Sequence, residues 1–121
     1  MSLLSTPVAA DTASYFTTDG TGVIVSAPGE EQENVSRGCF ISSVGILSTR
    51  LGGGTTRMSG TSMASPHVAG VAARYYQAGF QASDIRQFLQ LDADRVGTAP
   101  LDSPSSRYTF DGEREGIAQA P

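Results

Sequence analysis

The run Gly60-Thr61-Ser62-Met63-Ala64-Ser65-Pro66-His67-Val68-Ala69-Gly70 constrains this chain more than any other stretch, because it places a backbone break, a helix start and a hydroxyl within a few residues. Gly60 permits a sharp turn just before Ser62 without a Cβ clash. From Ser62 onward the residues read as helix, with Pro66 tolerable in the first turn, where a missing N–H costs nothing. The unpaired N–H groups and positive dipole end of such a helix lie where negative charge would develop beside Ser62. One donor to that charge is the Ser62 amide itself. Ala64, Val68, Ala69, Gly70, Val71, Ala72 and Ala73 are small or apolar all round, which predicts a buried central helix. The pattern reads as a serine nucleophile at the mouth of that helix. A Gly/Ser loop leading into an Ala-rich helix accounts for the composition, but not for the eleven-residue string.

His67 is the one histidine in the chain. Five positions along a helix correspond to a rotation of about 140° and a rise of about 7.5 Å, which turns its imidazole away from the Ser62 hydroxyl. His67 is therefore read as a structural, hydrogen-bonded residue. A metal site is not expected, since there is no second histidine and only one cysteine.

The eleven-residue string resembles the nucleophile motif of the subtilisin-like serine proteases (peptidase family S8). The resemblance makes Ser62 the acyl-forming catalytic serine and Gly60 and Thr61 the support of the nucleophile loop and oxyanion site. Pro66 and His67 become structural residues near the site. The likeness runs from about residue 7 to about residue 119. Val8 to Asp11, Ser14 to Phe16, Gly20 to Gly22 and Val23 to Gly29 follow the family's order of strand, turn, short strand and Ala-Pro-Gly corner. Ile46 to Thr49, Gly52 to Gly54 and Arg57 to Ser59 resemble the hairpin that delivers the chain to the nucleophile. Ser83 to Leu91 resembles the next helix, with Ser83 as N-cap and apolar residues at Ile85, Phe88 and Leu89. Tyr108 to Gln119 resembles the closing strand and short terminal helix, and the Pro- and Ser-containing stretch 97–107 reads as a surface loop.

The fold implied is α/β, the C-terminal part of a three-layer subtilisin-like domain with a mainly parallel sheet and flanking helices, incomplete on its own. Residues 1–6 are expected to be a vector-derived or disordered start, and 7–121 the peptidase-domain part, with 30–45 an inserted loop. Glu30, Glu31 and Glu33 within 30–45 admit a calcium reading, since the family often uses that cation, but three carboxylates without a defined turn fit a solvated loop better. No cofactor is assigned to this chain; calcium is a candidate only for the complete parent. Asn34-Val35-Ser36 fits a common glycosylation pattern, and Cys39, alone, has no internal disulfide partner.

A serine of this kind needs a histidine base and an orienting aspartate, which in this family both precede it. The 61 residues before Ser62 contain no histidine. The family's aspartate and histidine motifs and its oxyanion asparagine have no counterpart here, and Asp11 and Asp19 fall at scaffold positions. In proteases of this type loss of the serine or histidine costs on the order of 10⁶ in turnover, and loss of one oxyanion donor about 10²–10³. The isolated chain is thus expected to be inactive. The complete parent is expected to hydrolyse peptide bonds of polypeptide substrates through an acyl-enzyme. A different class of reading is a non-catalytic subtilisin-like module for binding or assembly.

A net charge of −4 and a pI near 4.7 argue against nucleic-acid or anionic-membrane partners, and no apolar run is long enough to span a bilayer. The N-terminus lacks signal-peptide features, so secretion is expected from the resemblance alone. A piece of a parallel-sheet domain leaves strand edges and one helix face uncovered. Such a piece is expected to form a homo-oligomer, with exchange of elements between copies as one route.

Overall fold

The computed structural model describes residues 5–7, 9, 12–17, 23–36, 41–94, 100–101 and 115–121. Three strands, β1 (Ser5–Pro7), β2 (Gln32–Ser36) and β3 (Ile41–Val44), form an antiparallel sheet in the order β1-β2-β3. Thr6 faces Val35, and Glu33 faces Ser43. Two further strands, β4 (Ile46–Thr49) and β5 (Thr55–Met58), form a hairpin in which Ile46 pairs with Met58 and Thr49 with Thr55. Its turn carries Gly52 to Gly54, as the sequence suggests. Helices α1 (Thr61–Gln77) and α2 (Ala82–Leu91) follow.

The architecture is mixed α/β, and its paired strands are antiparallel. Parallel pairing among the described residues occurs only as single bridges, Thr12 to Leu101 and Ser26 to Ile117. The connections from β2 to β3 and from β4 to β5 are too short for the crossover that a parallel pair needs, and β1, which has the length of chain for one, also pairs antiparallel with β2, so the expected parallel sheet is not formed by these strands. Within 30–45, where the sequence suggests a solvated loop, β2 and β3 stand as a hairpin. The polar strings Gln-Glu-Asn-Val-Ser and Ile-Ser-Ser-Val give little apolar alternation to reveal it. Arg57 clamps the hairpin from β5, ion-paired with Glu31 and donating to the Gly45 carbonyl at 2.9 Å.

The core sits between the two helices. Tyr75, Ile85 and Leu89 are buried, with Val68, Val71, Ala72, Phe80 and Phe88 packed against them. The Tyr75 and Phe80 rings meet edge to face with centroids 5.3 Å apart, and Phe80 meets Phe88 at 4.6 Å. α1 ends in a Schellman turn: Phe80 N–H donates to the Tyr75 carbonyl and Gly79 N–H to that of Tyr76, with Gly79 at φ 101°. The contact between Phe80 and Tyr75 is the apolar clasp of that turn. Beyond α2, Ile117 bridges Asp94, and the Tyr75 hydroxyl donates to Asp92 Oδ2 at 2.7 Å, with the Gln119 carbonyl at 3.3 Å.

Several expectations change in this setting. α1 is not enclosed on most sides: it packs one face on α2 and leaves Ala69, Gly70 and Ala73 exposed, because two helices can cover only one face of each other. α2 begins at Ala82 with Gln81, not Ser83, in the N-cap position, and Asp84 lies in its first turn, favourably placed at the positive dipole end. The short strand expected over Val23 to Ser26 is reduced to the Ser26 bridge. Residues 115–121 contain no helix. Asp11, Asp19, Cys39, Gly20 to Gly22 and Tyr108 to Arg114 lie outside the described residues, as do most of the stretches 8–11 and 97–107.

Candidate active site

Gly60 adopts φ 156° and ψ 168°, a conformation disfavoured for side-chain-bearing residues. This directs its carbonyl onto the first turn of α1, where it accepts from Met63 N–H at 3.0 Å and Ala64 N–H at 3.4 Å. Its own amide donates to the Gly29 carbonyl at 2.9 Å. The Ala-Pro-Gly corner and the Gly60–Ser62 turn are thereby joined directly, although they are separated widely in sequence. Ser62 is the second residue of α1 and exposed, beside the exposed Thr61. No side chain caps the helix, so the Thr61 and Ser62 amides keep the donor capacity that a helix start leaves unused. An anion adjacent to Ser62 would meet these donors and the positive dipole end together.

Pro66 occupies the sixth position of α1, one turn beyond the place expected for it. Having no N–H, it cannot bond the Ser62 carbonyl, which loses its ordinary helical donor. Ser62, Met63, Pro66 and His67 line a depression of about 400 Å³ with Ile46, Leu47 and Ser48 of β4. Ser62 and His67 thus border one space, where helical spacing alone set them apart. They are not hydrogen-bonded to each other among the described residues. His67 Nδ1 lies 2.8 Å from the Met63 carbonyl, and since a carbonyl only accepts, Nδ1 carries the proton and donates. This bond ties the imidazole to its own helix.

A polar chain missed by the sequence reading supports the loop from the other side. Ser59, just before Gly60, has its hydroxyl 2.6 Å from that of Ser43 on β3, and Ser43 donates to Glu30 Oε2 at 2.5 Å. Glu30 lies next to Glu33, the one buried charged residue among those described. Nothing in the spacing of serines and glutamates marks this contact; the β2–β3 pairing creates it. Among the described residues no group of three or more His, Cys, Asp or Glu is placed to hold a metal ion. No helix among them is long and apolar enough to cross a membrane.

Exposed Ser62 thus stands at the start of a helix entered through a glycine turn and a β-hairpin. The subtilase family profile matches residues 5–109, and the chain belongs to that family, the subtilisin-like S8 peptidases. It is 42% identical over 112 residues to the subtilisin-like serine protease AsES of Sarocladium strictum, covering 88% of this chain and 25% of that protein. It is 39% identical to subtilisin-like protease 4 of Arthroderma benhamiae, covering 82% of this chain and 20% of the relative. A thermophilic serine proteinase of Bacillus sp. strain AK1 is 41% identical over 86 residues, 71% of this chain and 18% of its own length. The chain therefore spans about a quarter or less of these curated relatives. No solved structure matches it significantly.

Proposed function

We propose that this chain is the nucleophile-bearing C-terminal part of a subtilisin-like peptidase domain, in which Ser62 forms the acyl-enzyme during hydrolysis of polypeptide substrates. The observation that supports this most is the placement of exposed Ser62 at the uncapped start of α1, behind a glycine turn. In the complete parent a histidine base outside this chain takes the Ser62 proton as Oγ attacks the scissile carbonyl carbon. The Ser62 amide stabilises the resulting oxyanion, the C–N bond breaks as the base returns its proton to the leaving amine, and water releases the acyl group. Gly60 and Thr61 shape the loop, while Pro66 and His67 are structural. The mainly parallel sheet of the family forms with strands outside the described residues, and the parent is secreted.

Taken alone, the chain is inactive on this reading, because His67 is held on the Met63 carbonyl and no other imidazole is available. The test is fluorophosphonate labelling of this chain and of the longer gene product containing it, each with a Ser62→Ala control. Labelling confined to the longer product and abolished by the substitution is expected. An unlabelled longer product that carries intact aspartate and histidine motifs would overturn the reading in favour of a binding or assembly module.

A further inference from the structure

The closing segment 115–119 is bonded along both edges although it forms no helix. Ser26 N–H donates to the Gly116 carbonyl at 2.8 Å, and Ala118 N–H donates back to the Ser26 carbonyl at 2.8 Å, which makes a parallel bridge. On the other edge Asp94 N–H donates to the Ile117 carbonyl at 2.8 Å and Ile117 N–H to the Asp94 carbonyl at 2.9 Å, an antiparallel bridge. The Gln119 carbonyl then accepts from the Tyr75 hydroxyl at 3.3 Å. The segment is a strap, fastened to the residue pair that follows α2, to Ser26 and to α1.

Both backbone groups of Ser26 go to this strap, and Ser26 leads through Ala27 and Pro28 into Gly29. The Pro28 ring fixes its own φ near about −65° and confines Ala27 to extended backbone. Few soft torsions remain between Ser26 and Gly29, so a displacement of the first is passed to the second. The Gly29 carbonyl in turn accepts from Gly60 N–H at 2.9 Å. A circuit is thereby closed along α1: Ser62 stands at its start and Tyr75 near its end, about 20 Å away along the axis, and the path from Gly60 through Gly29, Ser26 and Gln119 returns to Tyr75. The Ser43–Ser59 contact braces the residue before the turn, whereas the Gly60 amide itself is held by the corner.

We propose that the strap is a positioning element for Ser62: its grip on the Ser26 backbone sets the Gly29 carbonyl, which fixes the Gly60 turn and with it the Ser62 hydroxyl. No strap residue lines the depression beside Ser62, so the strap acts on placement and not on contact with a bound peptide. Its consequence for catalysis rests on the protease reading. An attacking oxygen must stand in near-attack geometry, and a misplacement of about 1 Å costs on the order of 10²-fold in rate.

The test compares wild type with Ala118→Pro, which removes the N–H that holds the Ser26 carbonyl and leaves both Ile117 bonds to Asp94 in place, and with Ala118→Gly, which keeps that N–H. Two readouts are taken: amide-exchange protection of Gly60 against Phe88 and Leu89 within α2 in this chain, and fluorophosphonate labelling of Ser62 in the longer gene product, resolved into maximal rate and half-saturating probe concentration. In Ala118→Pro the Gly60 protection is expected to fall about five-fold or more while α2 keeps its own. The maximal labelling rate is expected to fall about ten-fold or more with the half-saturating concentration unchanged. Ala118→Gly is expected to match wild type in both.

Unchanged Gly60 protection in Ala118→Pro overturns the proposal. So does an equal loss across α2, which would mean that the strap only stabilises the fold, and so does a wild-type labelling rate beside a loosened Gly60. A longer wild-type product that does not label at all overturns the protease reading instead, and the Gly60 exchange still decides whether the strap holds the turn. Should Ala118→Pro not fold, native-state exchange of the wild type in low denaturant replaces it. Gly60 and Ala118 are then expected to open together, and a Gly60 amide that stays protected once Ala118 has exchanged overturns the proposal.

Discussion

The Gly60 amide donates to the Gly29 carbonyl at 2.9 Å, tying the Ala-Pro-Gly corner to the turn that presents Ser62. The approach leaves no room for a side chain: a Cβ on Gly29 would stand 2.9 Å from the Gly60 carbonyl oxygen and 3.3 Å from the Phe16 ring. Backbone on one side and an aromatic ring on the other give little scope for relief.

Gly29→Ala is therefore expected to destabilise the chain by about 1–3 kcal/mol, the usual range for overpacking. A urea titration measures this as a lowered midpoint with an unchanged slope. In the longer gene product the same substitution is expected to slow fluorophosphonate labelling of Ser62. Wild-type stability and labelling would mean that the corner and the loop are not coupled.

Tyr75 joins three parts of the chain through one hydroxyl, and Tyr75→Phe removes the bond to the Asp92 carboxylate together with the contact to the Gln119 carbonyl. A loss of about 1–3 kcal/mol is expected for a hydrogen bond to a charged acceptor. Burial, reinforced by the Asp92 hydrogen bond and negative charge, pushes the Tyr75 hydroxyl up to about 12. The folded chain retains that proton while the unfolded chain loses it from about 10, so stability is full below pH 10 and falls as pH rises toward 12. An alkaline unfolding series compared with Tyr75→Phe checks the sign: the variant should lose this part of the slope.

Leu89 and Leu91 lie two positions apart on α2 and have opposite fates, 6% and 63% exposed. Leu89→Ala is expected to cost about 2–5 kcal/mol through lost burial and a residual cavity beside Tyr75. Leu91→Ala is expected to stay within about 0.5 kcal/mol. Equal effects in thermal melts would show that the helix pair is not the core.

Leu47 on β4 and Met58 on β5 are more than half exposed, beside the apolar depression at Ser62. Self-association of the isolated chain is the expected consequence, measured as a mass above 12.6 kDa by light scattering. Replacing Leu47 with Glu should shift the mass toward the monomer value. A monodisperse wild-type monomer would rule out association through this surface.

Much of the site was legible in the sequence because it is local. The Gly60-Thr61-Ser62 string dictates a turn followed by a helix start, whatever surrounds it, and the Ile46–Met58 hairpin is announced by its glycine run. The α2 core face also follows from the spacing of Ile85, Phe88 and Leu89. Placements that depend on partners distant in the chain were not legible. Ser83 reads as a cap until Gln81 takes the extended conformation before the helix, and Pro66 reads as a first-turn residue until Gly60 fixes where α1 begins.

The sequence by itself determined which residue is the nucleophile candidate and that a helix carries it, since backbone sterics and helix-end donors act over a few residues. Tertiary structure alone decided that Ser62 and His67 border one depression, that Gly29 holds Gly60, and that Glu33 is buried beside Glu30. Those relations arise when antiparallel pairing and helix packing bring remote segments within hydrogen-bond distance, and neither residue of such a pair carries a local signal of the other.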